Sequence, residues 1–257
     1  MFRRDLRLFL SYRLLWISQI VQVLTSVSLF YYVSRLVNVP SVGSPDQYFA
    51  AVVVGIVVLN TLSATLVTLP ITVRQELVAG TFERVVISPL GAVGGLLSML
   101  CFPLLSTLVI GAVTMLIAAG LFGMPIEWDS AALYVPLAIL GGVAFAPFAI
   151  LVTAAVLVIK QAGSGAGFIM TGVMLVGGFF FPVSLLPGAI RWMSDAQPFT
   201  PALELMRHAV IGTPLADPVL LSVGKVALFA VLLLPIAVQV LHRAIGLAQR
   251  RGTIIEY

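Results

Sequence analysis

Charged side chains are scarce in this sequence, so those that cluster are the candidates for chemistry. The densest cluster is Arg74-Gln75-Glu76-Leu77-Val78-Ala79-Gly80-Thr81-Phe82-Glu83-Arg84, closed by Ser88-Pro89. It is a charged, punctuated patch of the kind that fits a groove in a partner. A second group, Glu204, Arg207 and His208, places a carboxylate at i+3 and i+4 from two bases, which allows a local ion pair on a helix. That group reads as a structural clamp rather than a catalytic set. Gly163-Ser164-Gly165-Ala166-Gly167 has the glycine density of a phosphate loop, but it follows an apolar run instead of a strand. Neither Lys160 nor Lys225 supplies the Lys-Ser or Lys-Thr that such a loop needs, so a flexible helix start is the simpler reading. Cys101 is the only cysteine, which leaves no disulfide framework or cysteine metal site. There is no His-Glu-x-x-His and no pair of aspartates at depth in an apolar run. The expectation is a chain with no catalytic residues, no metal site and no cofactor of its own.

The elements that position these clusters follow from composition. Of 257 residues, 60% are hydrophobic and 9% charged, and the mean hydropathy is +1.13. A soluble domain carries about 25% charged residues. Asp, Glu, Lys and Arg are absent from 14–34, 47–73, 85–126, 130–159, 161–190 and 226–242. A membrane-crossing helix needs about 20 apolar residues. Six spans are predicted, at about 14–36, 49–72, 92–122, 131–159, 165–182 and 218–242, with Pro70 ending the second. None of them holds an Asp or Glu, so an ion-coupled carrier would lack its usual coupling groups.

Lys and Arg are retained on the cytoplasmic side of spans. With both termini inside, ten of them flank the inner ends and four (Arg35, Arg191, Arg207, Lys225) the outer ends. The net charge of +4 therefore reflects topology, and nucleic acid is not an expected partner. Nothing near 35–45 resembles a cleavage site, so the first span reads as retained. Residues 1–13 read as an interfacial helix facing membrane lipids, with Phe2, Leu6, Phe9 and Leu10 opposite Arg3, Arg4 and Arg7. A plain basic topology anchor fits the same residues.

Ser88-Pro89, Thr200-Pro201 and Asp217-Pro218 each place a capping side chain before a proline, a helix-start signal. Glycines at 141–142, 163, 167, 172 and 177–178 read as close-packing positions. Between 179 and 217 two short helices are expected, Pro187 to Trp192 and 201–211, too short to span and too apolar for a free loop. They read as outer re-entrant or interfacial helices. Tyr31, Tyr32 and Tyr48 sit where an aromatic belt belongs. Within 74–89, Arg74 to Ala79 can form a helical turn or two, Gly80 breaks it, and Thr81 can cap a new turn with Glu83 near its start. An ordinary loop and a docking element fit these residues equally well.

Two stretches then carry a likeness. The first is Arg74-x-Glu76-x-x-x-Gly80-Thr81-Phe82-Glu83, with Ser88-Pro89. The second is Gly177-Gly178-Phe179-Phe180-Phe181-Pro182-Val183-Ser184-Leu185-Leu186-Pro187, followed by Gln197-Pro198-Phe199-Thr200-Pro201-Ala202-Leu203-Glu204 and Arg207. With the span count, the Arg-rich N-terminus and the basic C-terminal tail, the whole chain resembles the membrane subunit (permease) of ABC-2 type ABC transporters. The resemblance implies an all-α polytopic membrane protein of the type V exporter kind, forming one transmembrane domain over 1–257. It has six transmembrane helices, the N-terminal interfacial helix, a cytoplasmic coupling helix at 74–88 and outer re-entrant helices at 183–212. It implies that Arg74, Glu76, Gly80, Thr81, Phe82, Glu83 and Arg84 dock on a separate nucleotide-binding ATPase, which holds the ATP and Mg. It assigns the outer gate to Phe181, Pro182, Pro187, Glu204 and Arg207. It implies two permease copies, a homodimer or a heterodimer, in a bacterial inner membrane.

Such families export drugs, lipids or lipid-linked polysaccharides. The uncharged spans suit an amphipathic or hydrophobic cargo slightly better than a long hydrophilic chain. A polysaccharide or O-antigen-type channel and an ATP-independent channel or carrier stay open as alternatives, as does a membrane scaffold without transport.

Overall fold

Apolar runs of this length must satisfy their backbone internally once in lipid, and helices do so. A computed structural model of the chain describes residues 13–36, 44–82, 85, 87, 89, 91–159, 163–181, 183–195, 197–215 and 217–250. Their regular structure is helical: α1 Arg13–Leu36, α2 Pro45–Val78, α3 Gly91–Phe122, α4 Trp128–Ala131, α5 Tyr134–Ile159 and α6 Gly163–Val176. A 3₁₀ turn, Val183–Leu185, then leads to α7 Gly188–Asp195, α8 Phe199–Ile211 and α9 Val219–Arg250. Among the described residues, α1, α2, α3, α5 and α9 are long and apolar enough to cross a membrane.

The expected span 165–182 is a 14-residue helix, α6. At 1.5 Å per residue it measures about 21 Å, short of a hydrocarbon layer of about 30 Å. Pro70 does not end the second span. Helix α2 runs through it to Val78, for 34 residues or about 51 Å, because neighbouring helices can support a proline break that would stop a solvated helix. The turn expected over Arg74–Ala79 is therefore the continuous end of a span. Helix α9 likewise passes the expected boundary at 242 and reaches Arg250.

Two of the proline caps differ from expectation. Helix α8 starts at Phe199 with Pro198 as its cap residue, while the Thr200 hydroxyl pairs with that of Ser194 at 3.0 Å. The Asp217 carboxylate goes to Lys225, one helical face along α9. Ser88, like Arg3, Arg4, Arg7, Pro182, Glu83 and Arg84, lies outside the described residues.

Helices α2 and α5 form the centre: 67% of the most apolar window of each is buried, against 17% for α1 and α9. One apolar core, with Val27, Phe49, Phe145, Phe199 and Leu203, joins the middle of the bundle to the end carrying α7 and α8. The other, with Val73, Leu77, Phe82, Leu96, Ile150 and Leu241, fills the end carrying residues 79–90. Gly142 packs against Leu104 and Gly111 against Tyr134, whose hydroxyl bonds the Leu108 carbonyl at 3.0 Å. At Gly167 and Gly172 a Cβ would meet nothing within 4 Å, so the packing role expected there is not used within this chain. Prolines stand inside four long helices, Pro70 in α2, Pro103 in α3, Pro147 in α5 and Pro235 in α9.

Candidate functional site

The first predicted cluster sits where α2 stops. Ala79 caps the helix, Gly80 takes φ +66°, and the chain reverses. The Gly80 N–H donates to the Leu77 carbonyl at 3.1 Å and the Thr81 N–H to Glu76 at 2.9 Å. That pairing is a Schellman closure, in which a residue without a Cβ adopts the left-handed conformation. Nothing crowds Gly80 within 4 Å, so the glycine is there for its backbone and not for space. The Thr81 hydroxyl donates to the Glu76 carboxylate, tying the turn back onto the helix it leaves.

Phe82 then points inward. It is 1% exposed, in the core built by Leu69, Val73, Leu77, Leu96 and Ile150, and Val85 is buried beside it. The outward side is different. Arg74, Gln75, Ala79 and Gly80 are exposed, and so are two apolar side chains, Val78 at 62% and Ile87 at 80%. The segment is thus anchored from within and presents a mixed basic and apolar face. The charge pattern drew attention to Arg74, Glu76 and Arg84, whereas Val78 and Ile87 escaped it. Their signal was apolar side chains out of phase with buried Val73, Leu77 and Phe82.

The second cluster is at the opposite end. The turn Gly177-Gly178-Phe179 follows α6, with Gly178 at φ +74°. Its backbone lies directly on Gly55 of α2: a Cβ there would collide with the Phe179 carbonyl oxygen. Arg207, reaching from α8, holds this arrangement. Its Nε donates to the Ala51 carbonyl at 3.1 Å and its Nη2 to the Phe179 carbonyl at 3.0 Å. The planar guanidinium fork suits two acceptors on separate segments. Glu204 interacts electrostatically with Arg207, as the i+3 spacing suggested, while the hydrogen bonds of Arg207 reach 156 and 28 residues away in sequence.

Aromatic stacking completes this end. Phe180 stacks on Phe30 of α1 at 5.5 Å, and Phe199 meets Phe145 and Phe148 of α5 at 4.9 and 5.0 Å. Phe181 is partly buried and Pro187 exposed. Of the expected belt, Tyr32 is 66% exposed, while Tyr31 packs with Phe49 and Phe122 at 5.5 and 5.0 Å under the Arg35 guanidinium. Arg35 also pairs with Asp46 at 2.8 Å, closing α1 onto α2. Gly55, Ala51 and the Phe179 carbonyl had no signal in sequence, since backbone acceptors carry none.

Among the described residues neither cluster assembles a nucleophile with a base, and no group of three His, Cys, Asp or Glu could hold a metal. What the two ends offer is an anchored, partly apolar outward face at one and a backbone clamp at the other. A profile described as ABC-2 type transporter matches residues 1–211, which takes in both clusters. The chain belongs to the ABC-2 type transporter membrane family. This ABC-2 chain is 28% identical over 197 residues to nodulation protein J of Sinorhizobium fredii, covering 76% of this chain and 74% of that protein. It is 30% identical over 105 residues to nodulation protein J of Rhizobium meliloti, 41% of this chain and 40% of the relative. The Neorhizobium galegae protein of the same name is 27% identical over 117 residues. As an ABC-2 membrane component with five long apolar helices among its described residues, the chain is an integral membrane transport protein and not a catalyst.

Proposed function

We propose that this chain is the permease subunit of an ATP-driven exporter, working as two copies with two separate ATP-binding subunits. The observation that carries the reading is the outward face of residues 74–87, exposed Arg74, Val78 and Ile87 over the buried Phe82 plug. A rigidly anchored face of this kind transmits a push from a partner into α2, α3, α5 and α9, which share its core. Glu83 and Arg84 extend the face by sequence, and ATP and Mg belong to the partner. The end with 79–90 faces the cytoplasm in this reading, as the Lys and Arg balance favours, with Arg3, Arg4 and Arg7 on an interfacial helix. Helix α6 and the turn after it together form the sixth crossing, and α7 and α8 seal the outer side. Phe181, Pro182, Pro187, Glu204 and Arg207 belong to that seal. The cargo is amphipathic or hydrophobic and leaves the cytoplasm or inner leaflet of a bacterial inner membrane.

Reconstitution with the ATPase that co-purifies in stoichiometric amount tests this. ATP hydrolysis should rise with cargo from a panel of lipids, hydrophobic drugs and lipid-linked glycans. Glu83→Lys should abolish that rise while leaving folding and insertion intact, and Gly80→Pro, whose ring excludes the positive φ of the turn and removes the N–H that bonds Leu77, should abolish it by dismantling the turn. Transport by the chain alone without ATP, or normal coupling in both variants, overturns the reading.

A further inference from the structure

Between α1, α2 and α3 lies a half-open groove of about 390 Å³, within the range of about 300–1,000 Å³ typical of small-ligand sites. Its walls carry Gln19, Gln22, Asn60, Thr68, Ser106 and Thr114. Gln19, Gln22 and Ser26 share one face of α1 at helical spacing, and Asn60, Ala64 and Thr68 one face of α2. Polar side chains are costly against hydrocarbon, so their convergence from three helices sets hydrogen-bonding positions into a wall that is otherwise mostly apolar.

The hydrogen bonding is incomplete in a particular way. The hydroxyls of Ser106 and Thr114 donate to the carbonyls of Pro103 and Ile110 at 2.8 and 2.7 Å, which leaves their oxygens as acceptors. The Gln19 Oε1 atom is buried and has no hydrogen-bond partner. A buried amide oxygen left so is destabilising unless a donor reaches it. The walls contain donors and acceptors but no charged residue, so a phosphate or carboxylate would be buried there without a counter-ion. Val23, Ile56 and Phe102 supply an apolar side.

We infer that this groove is a binding site within one protomer for an uncharged headgroup rich in hydroxyls or amides, carried on an apolar tail. A neutral sugar on a lipid has that chemistry. The inference rests on the exporter reading only for its place in transport. Asn60 and Thr68 stand about 22 and 34 Å along α2 from Pro45, on a helix of about 51 Å, so the groove runs from mid-helix towards the end with Gly80. The groove takes the headgroup over that stretch.

The full chain in phosphatidylcholine nanodiscs provides the test, without ATP or partner. Three photoreactive probes carry a diazirine: a glucosyl diacylglycerol, a phosphatidylglycerol with the same tail, and a free maltotriose. Labelled peptides are mapped by mass spectrometry. The glucosyl lipid should label the facing segments of α1, α2 and α3 about tenfold over phosphatidylglycerol, and Gln19→Leu or Asn60→Leu should lower this about five- to tenfold. Asn60→Gln should retain it, and all three variants should melt like the parent. Labelling by maltotriose at the same peptides also supports the site and assigns its ligand to water instead of the bilayer. Equal labelling by phosphatidylglycerol, or no effect of either leucine variant in a normally melting protein, overturns it. So does disulfide cross-linking between copies through Asn60→Cys with Cys101→Ser, which would make the groove a dimer seam. Because the readout needs no ATPase, failure here leaves the exporter reading standing, and failure of that reading leaves the labelling unchanged.

Discussion

At the end bearing residues 79–90, α2 closes through Gly80 and an apolar plug, Phe82, whereas at the opposite end a guanidinium, Arg207, ties α8 to the backbone of α2 and of the turn after α6. Apolar packing is non-directional, so the first arrangement fixes the position of its segment and leaves the outward side chains without a structural duty. Hydrogen bonds from a planar fork are directional, and the second arrangement fixes three segments in relation to one another. A surface meant for a partner is built by the first means. A closure that must be either made or broken is built by the second.

The comparison breaks first at Phe82. Phe82→Ala should destabilise the protein by about 3–5 kcal/mol, read as unfolding by denaturant in micelles, because it empties a buried core position. Phe82→Leu should recover most of that. Arg207→Met should lower stability by about 3 kcal/mol, since bonds from a charged donor contribute about 1.5–3 kcal/mol each. Arg207→Lys should fall between, having one point charge where the fork meets two carbonyls. Gly55→Ala should lower stability by about 1–3 kcal/mol through overpacking against the Phe179 backbone. If Arg207→Met and Gly55→Ala proved additive, the clamp and the close approach would be separate devices, because groups in one network couple. The smallest change in stability belongs to Val78→Asp and Ile87→Asp, within about 0.5 kcal/mol. They should nonetheless weaken ATPase co-purification about tenfold or more, and unchanged assembly would remove the docking face.

The helical class and the long spans were legible because charge-free runs of bilayer length permit little else. Gly80 ended its helix as expected, with positive φ, and Gly123 and Gly212 follow α3 and α8 in the same conformation. Pro70 misled, since its penalty in water is larger than in a bundle whose neighbours support the break. Thr200 and Asp217 misled for another reason: a capping side chain is also a hydrogen-bonding group, and Ser194 and Lys225 competed successfully for them. Of the docking cluster, the turn chemistry was readable and the exposed Val78 and Ile87 were not. Of the clamp, Arg207 was readable and its acceptors, being backbone, were not. The groove was hidden because its residues are spread over 19–114 and none is charged.

The four internal prolines set the mechanics of the bundle. Pro70, Pro103, Pro147 and Pro235 lie 8, 12, 12 and 15 residues from the helix ends at Val78, Gly91, Ile159 and Arg250. That is about 12–22 Å in from the same side of the molecule. Each lacks an N–H, so each helix has one missing rung within that band. A beam bends at its weakened band before it bends anywhere else. On the proposed exporter reading, a push at residues 74–87 would meet that compliant band first, and the stiffer segments beyond it would move as levers.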